Sequence, residues 1–109
     1  MKKFAKILCI GDLIIDLYVH GEINRISPEA PIPILKVNRE NYYVLGGCGN
    51  VARNICAANA KCHMISIAGN DNGKDIIKKL SKELMNFSFD LLIDKRRCTT
   101  IKTRFISDN

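Results

Sequence analysis

Two rhythms of apolar and polar positions run along these 109 residues. Lys6 to Ile10 is a short, nearly continuous apolar run ended by Gly11-Asp12, and Leu13-Ile14-Ile15 continues it as far as Asp16. A strand apolar on both sides belongs in the middle of a covered sheet, typically a parallel one. Residues 17–23, 32–37 and 42–45 alternate more loosely and predict short strands of a small second sheet. Glycines 46, 47 and 49 then break the chain, and the alanine-rich stretch 50–60 predicts a helix. Residues 64–68 predict a second buried strand, closed by Gly69-Asn70-Asp71-Asn72-Gly73. Ile76, Ile77, Leu80 and Leu84 recur at helical spacing and predict a helix over 74–85, capped by Asp71 or Asn72. Residues 87–93 and 99–106 predict a third and a fourth strand of the parallel sheet. The order is that of an α/β protein with a parallel central sheet and flanking helices. The last predicted strand has no closing helix after it, so one face of the sheet is expected to lie uncovered, with weak stability and self-association as the result.

Composition narrows the class. A hydrophobic fraction of 47% supports one small core. The net charge of +6 comes from scattered lysines and arginines, with small clusters at Lys2-Lys3, Lys78-Lys79 and Lys95-Arg96-Arg97. No aromatic residues interleave with them, which argues against nucleic acid as a partner and for a solvated basic surface or an anionic ligand. The five cysteines are odd in number and form no C-x-x-C pair, so neither a disulfide framework nor a standard zinc site is expected. The N-terminal apolar run is interrupted by Gly11-Asp12 and Asp16, which excludes a signal peptide or membrane span there. The expectation is a cytoplasmic protein without a membrane partner.

Three places could carry chemistry. Asp12 and Asp16 fall at the carboxyl end of the first predicted strand, where open α/β sheets gather ligands; carboxylates there can accept hydrogen bonds from sugar hydroxyls, or simply cap a turn and pair with a lysine. The glycine turn has three readings. Gly47-x-Gly49-x-x-Ala52 fits a dinucleotide fingerprint, although that motif should follow the first strand of a βαβ unit. Alternatively, Gly46, Gly47 and Asn50 present backbone N–H groups and an amide to a polyhydroxy ligand at a helix start. Or the turn is purely structural. Lys102 and Arg104, two apart on a strand, share a face and could hold a phosphate, or could guard an exposed edge.

All three prolines lie in Arg25-Ile26-Ser27-Pro28-Glu29-Ala30-Pro31-Ile32-Pro33-Ile34, which predicts an extended edge segment beside a site. This stretch, Gly11-Asp12 with Asp16, Gly46-Gly47-Cys48-Gly49-Asn50-Val51-Ala52, Gly69 and Thr99-Thr100-Ile101-Lys102-Thr103-Arg104 together resemble the bacterial heptose 7-phosphate kinases of the ribokinase (PfkB) group. The resemblance covers the whole chain and the N-terminal third or so of such a kinase. It implies a ribokinase-like fold and transfer of the ATP γ-phosphate to the anomeric hydroxyl of a heptose 7-phosphate, in ADP-heptose and lipopolysaccharide synthesis. It assigns Asp12, Asp16, Gly46, Gly47 and Asn50 to the sugar. It makes residues 17–45 a lid that commonly serves as a dimer clasp, so a homodimer is an implied partner. Two departures stand out: Cys48 replaces a small residue, and Asn59 stands where glycine or serine is usual, at a helix end that asparagine tolerates. ATP and magnesium belong to the full-length family; none is expected to bind this chain alone, because the nucleotide pocket and catalytic base of such kinases lie further along. The chain thus reads as the truncated N-terminal portion of one domain, 1–109, with a C-terminal kinase segment as its missing partner and no catalysis of its own. Two alternatives remain: a non-catalytic remnant of a split or decayed gene that associates through the lid, and a dinucleotide-binding module.

Overall fold

The computed structural model describes residues 4–109. Two sheets and two helices follow in the order β1 Lys6–Ile10, β2 Leu13–Ile26, β3 Pro33–Val37, β4 Tyr42–Gly47, α1 Cys48–Ala57, β5 Lys61–Ala68, α2 Asn72–Lys82, β6 Phe87–Ile93 and β7 Ile101–Ser107. One sheet is parallel, ordered β1-β5-β6. The other is built on β2, which pairs antiparallel with β3 and β4 and parallel with β7. The α/β class with a parallel sheet, flanking helices and a small β element is therefore what the chain adopts.

The parallel sheet follows from β5. Its burial alternates residue by residue, with Cys62, Met64, Ser66 and Ala68 inward. Met64 and Ile77 are 0% exposed, and they share a core with Ala52 of α1, Ile15 of β2 and Leu45 of β4. Both helices thus pack on one face of this sheet. The other face carries Leu8 and Ile10 of β1 and Leu92 of β6, exposed by 58%, 68% and 60%. They lie in register with the opposite-facing positions of β5: Leu8 beside His63, Ile10 beside Ile65, Leu92 beside Ile67. A parallel sheet normally has both faces covered; among the described residues this one has a single covered face.

Several expectations need correction. The apolar run from Lys6 to Ile15 is not one strand: it changes sheets at Gly11-Asp12, and Leu13 opens a strand of 14 residues. Asp16 accordingly lies inside β2 and not at the end of β1. Nor is β1 the middle strand; β5 is, because β1 pairs only with β5 among the described residues. The fourth strand, β7, joins the second sheet and lies beside β2. That sheet consequently runs beyond residues 17–45 at both ends. Pro28 and Pro31 occupy the β2–β3 loop, closed by the Ser27 N–H donating to Ile32 O at 2.8 Å, and Pro33 opens β3, where a missing N–H is tolerated. Helix α1 starts two residues earlier than predicted, since Gly49 lies within it. Asn59, just past its end, sits at φ 64, the left-handed conformation expected of it.

Candidate functional site

The β2–β4 register builds the site. Leu13 lies opposite Gly47, Ile14 opposite Gly46 and Asp16 opposite Val44. The glycine turn is thereby held against both aspartate positions. Gly47 sits at φ 56 and caps α1 with its backbone. A side chain there would press on the carbonyl of Asp12, and the next residue, Cys48, donates its N–H to that carbonyl at 2.8 Å. At Gly46 an added Cβ would lie 2.9 Å from Cγ of Asp16. Gly46 needs glycine for close approach, and Gly47 needs it both for close approach and for its positive φ. Asn50 is exposed in the first turn of the helix that this step opens. Burial pushes the Cys48 thiol up, so it stays protonated and donates to Gly11 O at 3.3 Å.

The second half of the site comes from β7. Parallel pairing sets Lys102 beside Asp16 and Arg104 beside Tyr18, so both cations share the face of the Asp16 carboxylate. Arg104 donates from Nη1 to Asp16 Oδ1 at 2.6 Å, and this bond holds its guanidinium above its ordinary value. Arg104 also lies 5.2 Å from the centre of the Tyr18 ring, which stacks on Tyr42 at 4.8 Å. Lys102 is exposed and makes no ion pair with a described residue. Arg104 is therefore already engaged by the carboxylate, while Lys102 is open to an anion. At the far end of the row, Arg39 donates to Asp108 Oδ1 at 2.8 Å, and the Nδ1–H of His20 donates to the same oxygen at 3.1 Å. The hydrogen bond of His20, then the charge of Arg39, hold the Asp108 carboxyl below its usual range.

The structure thus brings Asp12, Asp16, Gly46 and Gly47 to one junction between the two sheets, with Asn50 at the adjoining helix start and Lys102 and Arg104 on the adjoining strand. The dinucleotide reading of the turn loses its context. β4 is an antiparallel strand of the second sheet, not the first strand of a parallel βαβ unit. A cavity of about 600 Å³ lies elsewhere, at the amino ends of the parallel strands against Lys6, Ile7, His63 and Phe87. His63 is satisfied there by Ser88 at 2.6 Å and Asp90 at 2.9 Å.

Residues 5–109 match the pfkB family of carbohydrate kinases. The chain belongs to this family. It is 48% identical over 105 residues to the bifunctional protein HldE of Helicobacter pylori strain 26695, an alignment covering 95% of this chain and 22% of that protein. It is 47% identical over 104 residues to the bifunctional protein HldE of Nitrobacter winogradskyi, across 94% of this chain and 21% of the relative. The chain spans about a fifth of the length of these curated relatives. Among solved structures, a carbohydrate kinase from Agrobacterium tumefaciens superimposes with a TM-score of 0.71 at 21% identity, over 95% of this chain and 32% of that one. The ribokinase of Giardia lamblia gives 0.66 at 18% identity, over 95% and 33%. These two show that the PfkB chain has the ribokinase-like fold.

Two polar residues that shape this PfkB site were assigned no role from the sequence. Ser66 lies within the buried strand β5, and a lone serine in an apolar run was the available signal. Thr99 is buried just before β7. Its hydroxyl donates to Asp71 Oδ1 at 2.6 Å and its N–H to Oδ2 at 2.8 Å, while Gly69 N–H donates to the hydroxyl at 3.0 Å. Asp71 also caps α2 by accepting from Lys74 N–H. One carboxylate therefore fixes both the helix start and the approach to β7.

Proposed function

We propose that this chain is the sugar-binding portion of an ATP-dependent kinase that phosphorylates a heptose 7-phosphate at its anomeric hydroxyl, on the route to ADP-heptose and lipopolysaccharide. The observation that carries this reading is the register that gathers Asp12, Asp16, Gly46 and Gly47, with two cations on the adjoining strand. Asp12 and Asp16 accept hydrogen bonds from sugar hydroxyls. Asn50, with a donor and an acceptor, contributes from the helix start. Lys102 takes the phosphate, and Arg104 orients Asp16 and closes on the phosphate from the same face. The β2–β3–β4 segment covers the sugar and offers an edge for a second copy.

ATP and magnesium belong to the remainder of the longer relatives. The donors at this junction do not suit a magnesium ion, since the Arg104 cation already balances the Asp16 charge and no cluster of three candidate ligands forms among the described residues. No step of phosphoryl transfer is derived from these residues. Among the described residues no helix is long and apolar enough to cross a membrane.

Calorimetric titration with heptose 7-phosphate and with the unphosphorylated heptose tests the reading. A charge-assisted contact is worth about 1.5–3 kcal/mol, so the phosphate should improve affinity at least about tenfold. Lys102→Ala should remove most of that preference and leave binding of the free sugar intact. Equal affinity for the two sugars in the wild-type chain refutes the phosphate role.

A further inference from the structure

Asp12 joins the two sheets, and its carboxylate bonds to no other described residue, while its backbone is tied on both sides. Ser66 reaches this turn from β5. Its hydroxyl donates to Gly11 O at 2.7 Å and accepts the Leu13 N–H at 3.1 Å. The Cys48 N–H adds the bond to Asp12 O at 2.8 Å. Ser66 is 5% exposed among inward neighbours that are otherwise apolar or small, Met64 and Ala68. A hydroxyl in such surroundings is costly unless its donor and its acceptor are both used. Here both are used, and both on the peptide units that flank Asp12.

We propose that Ser66 is a positioning residue of the sugar site: by bridging Gly11 O and Leu13 N it fixes the direction in which Asp12 presents its carboxylate. The inference rests on the reading of Asp12 as a sugar-binding group. Ser66 acts through Asp12 and meets no ligand itself. A turn held from beneath before the sugar arrives loses less freedom on binding, so the hydroxyl contributes affinity without contact.

The test is an NMR titration of the ¹⁵N-labelled chain with heptose 7-phosphate, in wild type, Ser66→Ala, Asp12→Asn and the double variant. Ser66→Ala is expected to weaken binding roughly fivefold, as the loss of one hydrogen bond would. In the Asp12→Asn background the same change should add nothing, whereas a general packing role predicts equal losses in both backgrounds. Amide exchange of Leu13 should quicken in Ser66→Ala while that of Met64 keeps its rate. Should Ser66→Ala lose its cooperative melt, Ser66→Cys, with a somewhat larger and far weaker hydrogen-bonding group, carries the same comparison. Wild-type affinity in the Ser66 variant, or equal losses in both backgrounds, overturns the positioning role alone. A wild-type chain that binds no heptose 7-phosphate overturns the sugar reading and takes the inference with it.

Discussion

Leu8, Ile10 and Leu92 together should make this chain self-associate, and replacing all three by threonine should stop it. Each is more than half in water on the uncovered face of the parallel sheet. Burying a side chain of this size fully is worth about 1.5–3 kcal/mol, so covering the exposed 58–68% of all three would gain roughly 3–5 kcal/mol. Association costs about 4–15 kcal/mol in lost freedom, so these residues with their half-buried neighbours Ile65 and Ile67 should give a weak, concentration-dependent assembly rather than a tight dimer. Sedimentation velocity over a dilution series measures it. Threonine is β-branched and suits strands, and little burial is lost at positions already wet, so the triple variant should retain a cooperative melt. A triple variant that assembles as readily as wild type would show that another surface drives association. One that fails to fold would refute the assignment of these residues to an uncovered face.

Ile77→Ala, at a position 0% exposed, should cost about 2–5 kcal/mol, seen as an early midpoint in urea unfolding. Gly46→Ala should displace the Asp16 carboxylate and its bond to Arg104, weakening heptose 7-phosphate binding in calorimetry while α1 stays folded by circular dichroism. Asp71 is held below the ordinary carboxylate range by the Thr99 hydroxyl first and the Thr99 amide second. Its contribution to stability is complete above about pH 3.9 and disappears as pH falls toward its lower folded value. Asp71→Asn should therefore lower the melting temperature at neutral pH and flatten its dependence on pH below that range. The purified chain alone should convert no heptose 7-phosphate to the bisphosphate with ATP; a rate above a mock preparation would refute the assignment of the nucleotide site to the rest of the relatives.

Periodicity located most elements because burial repeats locally. β5 alternates inward and outward along its whole length, and α2 buries Gly73, Ile77 and Ser81 along one stripe. Partners were less legible. The run from Lys6 to Ile15 reads as continuous, yet only its first part belongs to the parallel sheet, and the sole mark of the change is Gly11-Asp12. The alternation of residues 101–106 identifies a strand without saying which sheet receives it. The cluster of Asp12, Asp16, Gly46 and Gly47 was visible through motif resemblance. The bond between Asp16 and Arg104 was not, because it depends on the β2–β7 register that no local pattern encodes.

That register also constrains how the chain can fold. Arg104 stands 88 residues from its partner Asp16, so the second sheet closes only after residues 101–107 have been made. The β2–β4 pairing can form early, across a modest loop, but residues 15–21 of β2 then wait with an unsatisfied edge until β7 emerges. Long-range pairings of this kind slow folding, since chain entropy is lost before contacts repay it. Refolding should be limited by this last docking step, and a chain cut before Ile101 should keep the β2–β3 and β2–β4 pairings without ever finishing the sheet.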